Sequence, residues 1–329
     1  MSDLSPEPII QVASGYMAAK QLFVAVEIGL FETLAEGAAT IDELGQRTNI
    51  PRRTLRIITD AMVALGLLER TGDHYRNGVT TAAFLSGSGG PDLRAFLRLL
   101  NSVSYRRWVR LEEAIRTDRI IFGESGFAEE EQRLYSAGVE AVTAGTAQAL
   151  ASTYDFAPHR RVLDLGGGTG SFLLPILARY QNLECTLYDL PQVAAATRQR
   201  MASDLVGARI QVIAADFFKD SIPEGYDVVI IANIVHCFAA DRVIHLLRRV
   251  REHVSAEARI LLVDFWTDPT HTQPVFAALM AGEFLLTPGG GDVYSVDEAQ
   301  RWLRDTGWKA VAHKPLAGPA SLIVAEAGN

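Results

Sequence analysis

The stretch Arg161-Val162-Leu163-Asp164-Leu165-Gly166-Gly167-Gly168-Thr169-Gly170 decides the fold. Val162 to Leu165 is a short apolar run with one carboxylate near its end, the pattern of a buried strand. Glycine then fills four of the next five positions, and Ser171 to Arg179 resumes with helical spacing. Strand, glycine turn and helix start make a place where backbone approaches a ligand closely. A Cβ there would clash with the ligand or forbid the turn. The glycines fall as G-x-G-x-G, with Ser171 next. That differs from the G-x-G-x-x-G/A of dinucleotide sites, whose third small residue packs helix on strand.

Working outward, Glu184 to Tyr188 reads as a second strand with Asp189 just past its end. Asp189 lies about 20 residues beyond the glycines, where an acid accepts hydrogen bonds from ribose hydroxyls. Pro191 follows, near the first turn of a helix over Val193 to Met201. A third strand, Ile210 to Ala214, runs into Ala215-Asp216-Phe217-Phe218. An acid followed by an aromatic suits an adenine: the carboxylate takes the exocyclic amine and the ring covers the base. A fourth strand, Asp227 to Asn233, is the Val and Ile run of a strand buried on both faces. Taken singly, each acid reads as an ordinary helix cap or turn residue. As a set they predict a nucleoside site at the carboxyl ends of parallel strands.

Composition bounds the class. The chain has 329 residues, enough for two ordinary domains, with 48% hydrophobic and 21% charged residues. Its net charge of −8 argues against a large nucleic-acid surface. Two cysteines, Cys185 and Cys237, sit in apolar contexts, which predicts reduced thiols and a cytoplasmic protein. Met1 to Pro6 shows no basic region leading into an apolar core, so no signal peptide is expected. The apolar run Val228 to Val235 is too short to span a bilayer. No grouping of His, Cys and acids has metal-ligand spacing, and no metal site is expected.

The first part of the chain is helical. Ile9 to Ala35 carries apolar residues at three- and four-residue spacing, interrupted by Gly29. Thr40 and Glu43 match the S/T-x-x-E capping box, opening a short helix that runs to Thr48. Arg52 to Leu65 forms a second helix, and Gly72 to Arg76 a small β wing. This winged-helix module has two readings. Arg52, Arg53 and Arg56 read DNA in a major groove, or the module is a dimerisation scaffold in an enzyme. The acidic net charge and the fusion to a nucleoside site favour the scaffold. Leu93 to Arg116 and Glu129 to Tyr154 are further helical stretches. The expected division is 1–90 for dimerisation, 91–157 as helical connector and acceptor-site cover, and 158–329 for the cofactor. In that last part, helices over Ala240 to His253 and Asp297 to Thr306 alternate with strands over Arg259 to Asp264, Trp308 to His313 and Ser321 to Ala325.

With this order in view, the chain resembles the winged-helix class of S-adenosylmethionine (SAM) dependent O-methyltransferases that act on small aromatic metabolites, in bacterial natural-product pathways and in plants. The residues that carry the resemblance are the Ile41 to Tyr75 module, Trp108, Val162 to Gly170, Tyr188-Asp189-Leu190-Pro191, Asp216-Phe217-Phe218, Asn233-Ile234-Val235-His236 and Ser295 to Trp308. The resemblance implies an α/β Rossmann-like domain, a seven-stranded sheet with helices on both faces, preceded by a mainly helical winged-helix domain that forms homodimers. It implies SAM as cofactor. Asp164, Gly166, Gly168, Gly170, Asp189, Leu190, Asp216, Phe217 and Asn233 would hold it, and His236 would be the catalytic base. The implied partners are a small-molecule acceptor and a second copy of the chain, with neither nucleic acid nor membrane.

The chain also departs from the family. His236 is followed by Cys237 and Phe238, where many members have Asp and Trp. Many members place an orienting Glu in a Gly-x-Glu-Arg-Thr segment; here Gly290-Gly291-Asp292-Val293-Tyr294-Ser295 puts Val293 there. Without a carboxylate an imidazole base loses tautomer control, so Asp264 or Asp292 is expected to serve. Three outcomes stay open: an O-methyltransferase with a different His partner, an N- or C-methyltransferase, or a relative that uses SAM without methylating. A ligand-responsive DNA-binding regulator is the non-enzyme alternative. The acceptor pocket is expected at Trp108, Trp266, Phe276, Met280, Phe284 and Leu286. Phe276, Met280 and Phe284 recur at i, i+4 and i+8, one helix face that could equally be plain core.

Overall fold

The computed structural model describes residues 4–89, 91–119, 121 and 128–328, so Met1 to Asp3 of the terminus read for a signal peptide lie outside the described residues. The chain forms two compact units. One is 1–106 with 130–142; the other is 107–129 with 143–329.

The first unit begins with the helix Glu7–Glu27. Gly29 then adopts a left-handed φ of 68°, and a short helix, Leu30–Thr33, follows. The interruption at Gly29 thus ends the long helix. The capping box forms as the sequence implies. Glu43 N–H donates to Thr40 Oγ1 at 3.3 Å, and Thr40 N–H donates to Glu43 at 2.7 Å, opening the helix Ile41–Thr48. Strands β1 (Ala39–Thr40), β2 (Leu68–Thr71) and β3 (His74–Asn77) make the wing, in order β1-β3-β2. Leu30, Phe31, Leu44, Leu55 and Met62 form its core. On the helix Arg52–Ala64, Arg52 pairs with Asp42 and Arg56 with Asp60, both at 2.8 Å. The stretch Leu93 to Arg116 is not one helix. It runs as Arg94–Leu99, a π-helical turn over Leu100–Ser104, Tyr105–Trp108, and then a separate helix Leu111–Thr117.

The second unit is a seven-stranded sheet. Its strands are β4 (Arg161–Leu165), β5 (Glu184–Asp189), β6 (Ile210–Ala214), β7 (Val228–Ala232), β8 (Arg259–Phe265), β9 (Trp308–Pro315) and β10 (Ala320–Ala327). The order is β6-β5-β4-β7-β8-β10-β9, with β10 antiparallel to both its neighbours and the other pairs parallel. Every residue of β7 is buried, as its Val-Val-Ile-Ile run requires. Two apolar clusters build the core. One holds Leu163, Val229, Leu246, Leu262 and Trp302; the other holds Val162, Leu173, Ile176, Ile230 and Leu261. Alternate strand residues fall in different clusters, so the sheet is covered on both faces. Connections from β4 run outward to β5 and β6, then return to β7 on the other side of β4. That reversal is a topological switch point, the place where open α/β sheets take ligands, beyond the carboxyl ends of their strands.

Candidate active site

Five parallel strands end in polar groups. Asp164 lies in β4, Asp189 closes β5, Asp216 follows β6, Asn233 follows β7, and Asp264 lies near the end of β8. At the switch point the turns after β4 and β7 meet. A Cβ on Gly166 would stand 2.4 Å from Ile234 Cδ1, and Gly166 itself has a φ of 71°. Gly168 and Gly170 also adopt left-handed φ, at 55° and 78°. Asp189 ties this turn down. Its carboxylate accepts Gly168 N–H at 2.8 Å and Leu190 N–H at 2.7 Å.

Asp164 is fully buried, and neither carboxylate oxygen has a partner. Burial, with the charge of Asp189 adding, pushes its carboxyl up to about 8. A buried acid without a donor is costly in the protein alone, and a ligand's cation placed beside it would offset that cost. Gly168 supplies the matching space: a Cβ built there meets nothing within 4 Å. An orphaned acid beneath an open glycine turn fits the aminoacyl end of a nucleoside such as SAM. Asp189 retains acceptor capacity for hydroxyls. Asp216 accepts Phe218 N–H at 2.9 Å and pairs with Lys219 at 3.1 Å. Phe217 is buried, packed edge-on against Phe218 and Phe238. Asn233 has a left-handed φ of 55° and donates to Val263 O at 2.8 Å.

His236 lies on the short turn Val235–Cys237 and is 5% exposed. It does not cap the helix Ala240–Glu252, whose N-cap residue is Ala239. Its Nδ1 lies 2.6 Å from Asp264 Oδ1. Asp264 also accepts Phe265 N–H at 2.9 Å, so the carboxylate is itself held. Burial depresses the imidazole, but the Asp264 carboxylate, with the Cys237 sulfur adding, outweighs it and raises the ring to about 10. The other candidate, Asp292, is exposed and accepts the N–H of Val293 at 2.7 Å. Of the two acids offered by the sequence, the structure bonds Asp264 to His236. Val293 is fully buried, in an apolar cluster with Ala277 and Phe284.

The aromatic stripe faces this pair. On the helix Val275–Leu285, Phe284 stacks on His236 with centroids 3.9 Å apart. Phe265 lies 5.0 Å from the imidazole and meets Phe276 edge-on at 5.7 Å. Met280 packs on the same cluster. Trp108 joins that helix from elsewhere in the unit, its Nε1 donating to Glu283 and its ring lying against Gly282. Trp266 falls in a different cluster, with Tyr294 and Trp302, and Leu286 is buried. Three contributors escaped the sequence reading, Phe265, Gly289 and Gly291. Phe265 adjoins Asp264, and only the geometry at the strand's end shows that it faces the imidazole. Gly289 and Gly291 carry the backbone of His236 and Cys237. A Cβ on them would lie 1.8 Å from Cys237 O and 1.9 Å from His236 O. The glycine-rich run Pro288 to Gly291 was the available signal. A separate groove of about 500 Å³ lies at the opposite, amino ends of β5 and β6, lined by Arg161, Glu184 and Arg209 among others. It touches none of these groups.

A doubly wound sheet with a glycine turn, strand-end acids and a buried His–Asp pair defines a nucleoside-dependent transferase. Comparison with known proteins specifies which. The O-methyltransferase domain matches residues 107–309, and the O-methyltransferase dimerisation domain matches 10–87. The chain belongs to the O-methyltransferase family and is a SAM-dependent enzyme. It is 32% identical to the 3-hydroxy-5-methyl-1-naphthoate 3-O-methyltransferase of Streptomyces sahachiroi, over 96% of this chain and 93% of that one. It is 29% identical to the tetracenomycin polyketide synthesis 8-O-methyl transferase of Streptomyces glaucescens, over 97% and 96%. Among solved structures, PigF with S-adenosylhomocysteine (SAH) superposes with a TM-score of 0.87, at 26% identity over 98% of this chain and 100% of that one. The dimerisation match covers the winged-helix module, and nothing supports the DNA-binding regulator.

Proposed function

We propose that this enzyme methylates a phenolic hydroxyl on a fused aromatic or polyketide-derived metabolite, as a cytoplasmic homodimer acting in secondary metabolism. The observation that carries the reading is the buried His236–Asp264 pair, set beside the aromatic stripe at the carboxyl end of β8. Of the two curated relatives, one is named for a hydroxynaphthoate substrate and the other for tetracenomycin polyketide synthesis, which agrees with this class. Neither nucleic acid nor membrane belongs to the reading. The divisions 1–90, 91–157 and 158–329 serve as dimerisation, connector with acceptor cover, and cofactor regions.

When bound, SAM supplies a sulfonium methyl with a good leaving group. Asp164, Gly166, Gly168 and Gly170 receive its aminoacyl end. Asp189 takes the ribose hydroxyls with Leu190 beside it, Asp216 and Phe217 take the adenine, and Asn233 lines the crevice. Phe276, Met280, Phe284 and Trp108 hold a flat acceptor, and His236 manages the charge of its hydroxyl. Alignment in such a displacement supplies roughly 7–11 kcal/mol, and proton management about 10²–10⁴-fold in rate. Positioning therefore dominates.

The test has two parts. Calorimetric titration with SAH, with NAD as control, should show tight binding of SAH alone, one per chain. Incubation with SAM and a panel of hydroxynaphthoates and polyphenols should then give O-methyl products by mass spectrometry. SAH binding without methylation of any hydroxyl, amine acceptors being methylated instead, would replace this reading with N-methylation.

A further inference from the structure

The surroundings of His236 favour one charge state. Nδ1 to Asp264 Oδ1 is 2.6 Å, at the short end for a nitrogen–carboxylate contact and typical of charge-assisted bonds. The two side chains are 6% and 1% exposed, so water does little to weaken the attraction. Phe284 stacks on the ring at 3.9 Å and Phe265 lies alongside at 5.0 Å, and aromatic faces attract a cation. The charged and titratable groups on the neighbouring elements are few. Asp264 on β8 is bonded to the ring. Cys237 on the same turn is a free thiol. Glu283 on the helix Val275–Leu285 takes the indole N–H of Trp108. Asp292 on the glycine segment is exposed and takes a backbone N–H. Where a second orienting carboxylate is expected, Val293 is fully buried among apolar side chains.

A second carboxylate would place negative charge beside the acceptor oxygen and oppose its ionisation. Val293 removes that opposition. We propose that His236 stands as an imidazolium, and that the enzyme's acceptors are hydroxyls acidic enough to bind against it as oxyanions. This rests on the methyl-transfer reading above and names its substrate class. The acceptors are phenols whose oxyanion is delocalised, by a conjugated carbonyl or an extended fused ring. The hydroxyl gives up its proton to bulk water on or before binding, so the acceptor is already the oxyanion when methyl transfer begins. In the transfer, the oxyanion's lone pair forms the new carbon–oxygen bond. The electron pair of the broken carbon–sulfur bond stays on sulfur, turning the sulfonium into a thioether. The imidazolium neither gains nor loses a proton in that step. The raised basicity of His236 agrees with this arrangement. Weakly acidic aliphatic alcohols fall outside the class, because the imidazolium is a stronger acid than they are and cannot hold them ionised.

The test is spectroscopic and uses the wild-type enzyme. Para-nitrophenol absorbs differently as phenol and phenolate. It is titrated with pH in the presence of excess enzyme saturated with SAH, whose sulfur is neutral, so any shift comes from the protein. The expected result is a bound probe whose ionisation midpoint falls by at least about one pH unit, a tenfold bias toward the anion. His236→Gln should abolish that shift while SAH still binds. A probe bound in its neutral form, an unshifted midpoint, or no binding of the phenol overturns the inference. Methyl transfer to the same phenol is followed separately by mass spectrometry. An unshifted midpoint with methyl product formed defeats the oxyanion inference alone. Absence of product from every phenol defeats the underlying reading.

Discussion

Asp164 pulls stability and function in opposite directions, and a single substitution separates them. Its carboxyl is fully buried, lacks any partner, and is pushed up to about 8. Below about pH 4 the acid is protonated folded and unfolded alike. Between there and about 8 the unfolded chain ionises while the folded one holds its proton, so stability falls as pH rises. Asp164→Asn removes that loss. The variant should melt higher than wild type by at least about 2–4 °C near neutral pH, with no advantage near pH 4, in calorimetric scans without cofactor. Its affinity for SAH should fall, since the cation at the aminoacyl end loses its counter-charge. Equal melting of the two proteins at both pH values would show that Asp164 is already satisfied. His236 carries the complementary prediction. Asp264→Asn leaves an imidazole without its carboxylate, and kcat should fall by about 10²–10⁴-fold with SAH affinity unchanged. Loss of SAH binding instead would assign Asp264 to folding. Asp164 and Asp189 were legible in the sequence because a strand-end acid at a set offset from a glycine turn has a local signature. The partner of His236 was narrowed only to Asp264 or Asp292. It depends on β7 pairing with β8, which brings Asn233 N–H onto Val263 O and so sets His236 beside Asp264.

At the scale of elements, periodicity found the strands because Val and Ile runs admit few other structures. Both capping boxes were written locally as well. Ser295 and Glu298 repeat the spacing of Thr40 and Glu43, and Ser295 opens the helix Val296–Asp305. What periodicity could not give was the break in Leu93 to Arg116, where apolar spacing continues through Leu100–Ser104 although the backbone widens into a π turn. Nor could it show what a glycine run packs against. Gly289 and Gly291 lie directly on the backbone of Cys237 and His236, with no room for a methyl group. Gly291→Ala must therefore push the turn Val235–Cys237 or the glycine segment aside. Because a misplacement of about 1 Å can cost on the order of 100-fold in rate, kcat should drop by at least that much. The fold, read by circular dichroism and melting, should survive, since Leu163, Val229, Leu246 and Leu262 hold the core of the sheet outside both segments. Gly290→Ala is a control with a different cost: its φ of 58° strains any L residue. Equal kcat for Gly291→Ala and wild type would show that the segment merely rests beside the base.

The molecule as a whole leaves one surface that a lone chain does not explain. The helix Glu7–Glu27 exposes Ile9, Ile10, Val12, Tyr16 and Met17, all at least half open to solvent. By length and composition it could cross a membrane. The dimerisation-domain match over 10–87 gives that apolar face a different destination, a second copy of the chain. The two destinations predict different behaviour. In the first, the purified protein sediments as a dimer at micromolar concentration and leaves lipid vesicles in the supernatant. Ile9→Asp with Val12→Asp should then shift it toward monomer, because each buried aliphatic side chain contributes roughly 1.5–3 kcal/mol. The pair of changes corresponds to a dissociation constant weakened by at least about 100-fold. The fold of each chain should persist, since neither side chain belongs to the core of Leu30, Leu44, Leu55 and Met62. In the second, wild type floats with vesicles and the double substitution releases it. Wild type that sediments as a monomer and ignores vesicles would leave both destinations without support. The winged-helix module would then need another partner.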